Sequence, residues 1–371
     1  MNRFVRLCTL AAGIALATQS VALAQGTWTP YTPEQLGGGT VKEDARAEGP
    51  LPANCPMPAA KDHYVIGMSQ ANKAEPWREA MNSQIEAAAA AYPEFEVVFQ
   101  DAAQDNAKQV TQVENLLTQG IDLLIISPNE AAPLNEAVKA AWDACIPVIV
   151  LDRNLVDPNY SMFIGADNVA IGEAAGEYVA KWCADNGRTA CKIAEIRGLE
   201  GAPPAKDRGD GFRAGLTAGG LSDANIVFSQ NADWLREKAV PAAAAAFQAH
   251  PDVDVVYGHN DPMARAPISR RRTRASTHPG PVRGHRRPAH ADGGIMSVLE
   301  GRLGVTFVYP TGGKQAVDWA KAILEDHVNP PLWLVLPFDT VSPENAQAVC
   351  DAFACPAAGG ATSSTAPSTA P

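Results

Sequence analysis

From residue 64 onward, short apolar runs rich in Val and Ile alternate with longer stretches whose apolar residues fall at helical spacing. No other feature limits the fold so strongly. Residues 64–68 read as a strand, 75–92 as a helix with Pro76 suited to its first turn, 95–100 as a strand, and 107–119 as a helix stopped by Gly120. Strand 121–127, helix 131–143 and a buried strand beginning at Val148 follow. After Tyr160 the alternation restarts, with strands over 161–168, 191–198, 225–230 and 253–261 and helices over 169–186, 204–219 and 233–249. This pattern predicts an α/β protein of two doubly wound parallel-sheet domains with right-handed crossovers. Two such domains in one chain leave a cleft between them.

The strand ends carry the chemistry. Val148-Ile149-Val150-Leu151 runs directly into Asp152 and Arg153, and in open α/β sheets ligands sit outside the carboxyl ends of the strands. An ionised Asp only accepts hydrogen bonds and an Arg only donates them, a combination that suits the hydroxyls of a sugar or polyol. The pattern recurs: Ser69 and Asn72 follow the first strand, Ser127 and Asn129 the third, and Asp167-Asn168 and Asn260-Asp261 end later ones. Any one of these is more often a helix cap than a ligand; five junctions rich in acceptors and amides favour polyol binding. Trp77, Trp234 and Tyr309 add flat aromatic faces of the kind that cover a sugar ring.

A net charge of −11 argues against nucleic acid as the main partner, because phosphate binding needs a basic face. Arg3 and Arg6, the apolar stretch 7–17 and Ala22-Leu23-Ala24 read as a signal peptide over 1–24, cleaved before Gln25. The expected destination is the periplasm. Residues 25–62, rich in Pro and Gly, read as an extended or disordered leader, and 353–371 as a disordered tail. Beyond the signal, Cys55, Cys145, Cys183, Cys191, Cys350 and Cys355 form the even set expected of an exported chain. Local spacing favours Cys183 with Cys191 and Cys350 with Cys355, leaving Cys55 and Cys145 over. No metal-binding or cofactor motif appears, neither a DxDxDG loop nor HExxH nor a Gly-rich phosphate loop. A glycosidase using Asp152 and Asp167 as paired carboxylates is the enzymatic alternative.

The strings SQANKAEPW, IPVIVLDRN, IGADNVAIGEAAGEYVA, KDRGDGFRAGL and GHNDPMA, in that order, resemble the periplasmic sugar-binding proteins of ABC transporters, above all the ribose- and galactofuranose-binding type. The resemblance runs over 64–263 and resumes over 292–349. It implies the type I periplasmic binding protein fold, with one lobe over 63–165 and 310–333, the other over 166–309 and 334–352, and hinge crossings near Gly165, Tyr309 and Leu334. It implies that Ser69, Asn72, Trp77, Ser127, Asp152 and Arg153 touch the sugar from one lobe. From the other it implies Asp167 or Asn168, Arg208, Trp234 and Asn260, with Tyr309 at the return crossing. It further implies a monomer that closes around its ligand and docks on a membrane permease. A sugar receptor for a chemotaxis or sensor-kinase partner is a variant of the same class.

Residues 264–291 break the pattern. The family would place here a helix and then a strand ending in Gly-x-Asp-Gly, whose Asp binds the sugar. The chain has instead ARAPISRRRTRASTHPGPVRGHRRPAHA, without an acid or an apolar period. It reads as a basic loop that binds an anionic surface, as a disordered arginine-rich insert, or, the reading we favour because its codons permit EGAYLAA in one shifted frame and FVGIDGLP in another, as a window translated out of frame. As it stands, it predicts a second lobe short of a helix, a central strand and one ligand group.

Overall fold

Strands that are apolar on both faces must be covered on both faces, and the helices between them supply that cover. The computed structural model describes residues 27–73, 75–266, 276–277, 279–282, 293–353 and 355. The expected signal peptide, most of the 264–291 window and nearly all of the tail lie outside the described residues.

In chain order, β1 (Thr29–Pro30) and β2 (Thr40–Glu43) precede the first long strand, β3 (Tyr64–Gln70). The first lobe continues with α1 (Pro76–Ala89), β4 (Phe95–Asp101), α2 (Asn106–Thr118), β5 (Leu123–Ser127), α3 (Ala131–Asp143), β6 (Val148–Leu151) and β7 (Met162–Ala166). The second lobe holds α4 (Asn168–Asp185), β8 (Ile193–Arg197), α5 (Pro203–Ala218), β9 (Ile226–Asn231), α6 (Arg236–Ala249), β10 (Val255–Gly258) and α7 (Asp261–Ala264). It goes on through β11 (Ser276–Thr277), β12 (Pro279–Val282), α8 (Gly294–Leu299) and β13 (Thr306–Pro310). The chain then returns through α9 (Gly313–Leu324), β14 (Val328–Asn329) and β15 (Trp333–Leu336) to the first lobe, and ends in the second with β16 (Asp339–Val341) and α10 (Ala346–Ala352).

The first lobe is a seven-stranded sheet in the order β2-β15-β7-β6-β5-β3-β4, parallel except for β2 on its edge. Successive side chains alternate across it, as the two-residue period demands. Ile66, Ile125, Ile149 and Ile164 pack under α1 and α9, against Met81, Ile85 and Trp319. Leu124, Ile126, Val148 and Val150 pack on the opposite face with Leu116 of α2 and Val138 of α3. In the second lobe α4 and α5 lie almost in backbone contact. A Cβ added to Gly172 would stand 2.4 Å from the Arg208 carbonyl oxygen, and one on Gly211 would stand 2.1 Å from that of Val169. Only glycine fits there, and the close approach carries Arg208 to the start of α4.

Three expectations change. Residues 27–62 are an ordered strap and not a disordered leader: β2 adds to β15, β1 pairs with β14, and the Arg46 guanidinium donates to the carbonyls of Pro158 and Tyr160. The reason is visible in Cys55, which is bonded to Cys145 at the end of α3. The expected Cys183–Cys191 bridge is present, but the expected bond between Cys350 and Cys355 is not formed. Cys350 faces the core on α10, with its Sγ 3.9 Å from the Met296 sulfur. Trp333–Leu336 pairs with β7, so the third crossing follows Leu336 and is not at Leu334.

The central strand expected to be missing is replaced by two fragments. β11 pairs with β10 and β12 with β13, and the second lobe's sheet divides between them into four strands and three. Pro279 and Pro281 have no N–H to donate, which thins the ladder along β12.

The two bridges close loops of very different length, 90 residues for Cys55–Cys145 and 8 for Cys183–Cys191. Replacing the first pair by Ser is expected to lower the unfolding free energy by about 2–4 kcal/mol, more than replacing the second. Urea denaturation measures both, and equal losses contradict the strap's role.

Candidate binding site between the two lobes

The carboxyl ends of β3, β5 and β6 converge on the first turn of α1, where Arg78 is buried at 2% exposure. Its guanidinium donates to Gln70 Oε1 at 3.1 Å, to Asp152 Oδ2 at 2.8 Å, and to the Ser127 hydroxyl. Asp152 sits just past β6 with φ +69, a left-handed conformation uncommon for a side-chain-bearing residue. Its N–H donates to the Ile164 carbonyl at 2.8 Å, which extends the β6–β7 ladder by one rung.

Arg153 points into the same space. It donates to the Asn129 carbonyl at 2.8 Å and lies 3.7 Å from the Glu75 carboxylate, which also accepts from Asn72 at 3.0 Å. Burial, and then the neighbouring Arg78 charge, work against ionised Arg153, while Glu75 and Asp152 support it.

The second lobe answers with a parallel arrangement. Arg208 Nε donates to Asn168 Oδ1 at 2.9 Å, Nη1 to the His259 carbonyl at 2.8 Å, and Nη2 to the Tyr309 hydroxyl at 2.9 Å. Tyr309 in turn reaches Asp152 Oδ1 at 3.4 Å, and its ring meets Trp77 at 5.3 Å between centroids. The chain Arg78, Asp152, Tyr309, Arg208 therefore crosses from one lobe to the other. Trp234 closes the cluster, its ring 5.6 Å from the Arg153 guanidinium and 5.3 Å from that of Arg208. At the rim Gln104 donates to the Asp233 carbonyl at 3.2 Å and the Ala131 N–H to that of Gly201 at 3.0 Å, so the lobes are shut.

Asn72, Trp77, Ser127, Asp152, Arg153, Asn168, Arg208, Trp234 and Tyr309 are thus brought together. Three other candidates are held differently. Ser69 is engaged by Gln109, at 3.2 Å, and its neighbour Gln70 meets Arg78 instead. Asp167 caps α4, accepting from the Ala170 N–H at 3.0 Å. Asn260 caps α7 and donates to the Trp234 carbonyl at 2.8 Å. Arg78, Glu75 and Gln109 escaped the sequence reading because each lies inside a helix or its cap, away from the strand ends. The visible signal was a charged pair flanking Pro76-Trp77 at a helix start.

A family model described as a periplasmic binding protein domain matches residues 66–302. The chain belongs to that family. Among relatives of this periplasmic binding protein, the ribose import binding protein of Bacillus subtilis is 32% identical over 206 residues, 55% of this chain and 64% of the relative. That of Salmonella typhimurium is 35% identical over 170 residues, 46% of this chain and 55% of the relative. The chain thus spans just over half to under two-thirds of the length of these relatives. Among solved structures, the fructose-binding periplasmic domain of a hybrid two-component system is 32% identical, with a TM-score of 0.68 over 77% of this chain and 93% of that one. A Mycobacterium smegmatis protein in complex with β-D-fucofuranose is 26% identical, with a TM-score of 0.68 over 78% and 94%.

Behind the cleft of the binding protein lies a second charged group. Glu195, fully buried in β8, accepts from Arg213 at 3.1 and 2.9 Å, from Ser229 at 2.7 Å and from the His259 ring at 3.1 Å. Burial works to raise its pKa, but the hydrogen bonds from His259 and Arg213 outweigh it and hold the carboxyl well below the usual range. This network fixes His259, whose carbonyl receives Arg208. A depressed carboxyl stabilises the fold above its unfolded pKa of about 4.3, and that contribution disappears as pH falls toward the folded value. Glu195→Gln is expected to lose stability at pH 7 and to show a shallower stability decline on acidification below about pH 4. An unchanged slope in acid denaturation contradicts this.

Proposed function

We propose that the chain is an exported solute-binding protein that captures a monosaccharide or sugar alcohol between its lobes and delivers it, as a monomer, to the membrane permease of an ABC importer. The observation that carries this reading is the interlobe chain from Arg78 through Asp152 and Tyr309 to Arg208. It presents donors and acceptors from both lobes, roofed by Trp234 and Trp77, in the mixed polar and aromatic pattern that hydroxylated rings require. The relatives point the same way: they include proteins named for binding ribose, galactofuranose and xylitol. A role in sensing is the second reading, favoured by the similarity to the periplasmic domain of a two-component system.

Catalysis fits the geometry poorly. Glycoside hydrolysis calls for two carboxylates free to act as acid and nucleophile or base, whereas Asp152 is ion-paired with Arg78 and Asp167 accepts the α4 cap hydrogen bond on one of its oxygens. Export to the periplasm rests on the first 24 residues and on the family, and docking on a permease rests on the family alone.

Thermal unfolding of the mature chain against pentoses, hexoses and polyols tests the proposal. One sugar at a hundred times its dissociation constant is expected to add about 2.7 kcal/mol, and Asp152→Ala is expected to abolish that shift. A chain with 264–291 restored to the alternative frame is expected to shift further than the chain as given. Equal shifts contradict the frame reading, and the absence of any shift in both chains contradicts sugar binding.

A further inference from the structure

The cleft does not account for every polar group around it. On the hinge side of the enclosed cluster lies a cavity of about 270 Å³, lined from both lobes and from the strap. It approaches the ~300 Å³ at which small-molecule pockets begin. Two of its walls, Asp152 and Asn168, are also members of the enclosed cluster. The cavity therefore stands one side chain away from the place assigned to the sugar.

Its other walls have the makeup of a carbohydrate site. Trp333 supplies an aromatic surface, held edge-on by Phe163 at 5.0 Å and covered by the Lys42 ammonium at 4.0 Å. The Trp333 indole N–H is buried and has no acceptor among the described residues. Asp207 lines the same cavity from the first turns of α5. No hydrogen bond or ion pair engages its carboxylate among the described residues, and burial, partly countered by Lys206, pushes its pKa up. Asp167 uses one carboxylate oxygen on its own helix and leaves the other to the cavity. Carboxylates, an ammonium and an aromatic wall thus line one cavity beside the site assigned to a sugar.

We propose that this cavity is a second sugar subsite, so that the preferred ligand is a glycoside whose first ring lies in the enclosed cluster and whose second unit lies against Trp333 and Asp207. Asp152 and Asn168 stand at the junction between the two units. The strap becomes part of the binding surface, because Lys42 reaches the cavity from β2. This inference rests on the sugar-binding reading above and adds the size of the ligand to it.

Calorimetric titration of the full mature chain tests the subsite. The probes are the monosaccharide found in the melting panel, its methyl glycoside, and its disaccharides with glucose. At least one disaccharide is expected to bind about tenfold tighter than the monosaccharide and its methyl glycoside, the value of one to two additional charge-assisted hydrogen bonds. Asp207→Ala is expected to remove that gain and to leave monosaccharide affinity unchanged. Trp333→Ala, which removes the aromatic wall, is expected to remove part of it. Disaccharides that bind no tighter than the monosaccharide, or an Asp207→Ala variant that keeps the gain, overturn the second subsite and leave the sugar-binding reading standing. Failure of every sugar, single or double, overturns both.

Discussion

The Arg78–Asp152 ion pair is the interaction on which the cleft depends. Both side chains are almost wholly removed from water, at 2% and 7% exposure, and two desolvated charges are tolerated only when each is fully met. Asp152 is met by Arg78 on one oxygen and by Tyr309 on the other, and Arg78 also holds Gln70 and Ser127. Deleting either charge strands the other in low dielectric, at a cost of about 3–5 kcal/mol. The pair also explains the left-handed Asp152: a backbone conformation this uncommon persists only where its surroundings hold it. Here they do so through the Ile164 carbonyl, the Asn129 carbonyl under Arg153, and Arg46 of the strap gripping the loop beyond.

The sequence made the alternation of elements plain, because short runs rich in Val and Ile alternate with longer stretches at helical spacing, and length and β-branched content tell them apart. Helix α3 occupies the same residues, Ala131–Asp143, that its pattern predicts. Asp152 and Arg153 were legible for a related reason: they are charged residues placed where an apolar strand ends, whereas Arg208, inside α5, came into view only through the family resemblance. Arg78 was not legible, because an arginine in the first turn of a helix is ordinary until the fold shows that three strand ends point at it. Asp167 and Asn260 cap α4 and α7, the common use of such residues at strand-to-helix junctions. The Gly172 and Gly211 approach was equally invisible, since glycine spacing acquires meaning only when two helices are known to touch.

The strap and the 264–291 window mark the two places where local composition misleads. A segment rich in Pro and Gly reads as unstructured when taken alone. The Cys55–Cys145 bond and an open sheet edge at β15 supply from outside what the strap lacks within. The window shows the reverse. A sheet that expects a continuous central strand receives two fragments, the second carrying two prolines, and it divides between them. The first lobe, with seven continuous strands, carries the ion pair; the second, which must bring Arg208 and Trp234 to meet it, carries the interruption.

Native mass spectrometry of the full mature chain, mixed with equimolar sugars and polyols, tests the central claim most directly. The account predicts a single neutral carbohydrate adduct in one-to-one ratio, lost when Asp152 is replaced by Ala and when Arg208 is replaced by Ala, since the ligand is gripped from both lobes. An adduct that survives either replacement, or no adduct on the unaltered chain, contradicts it.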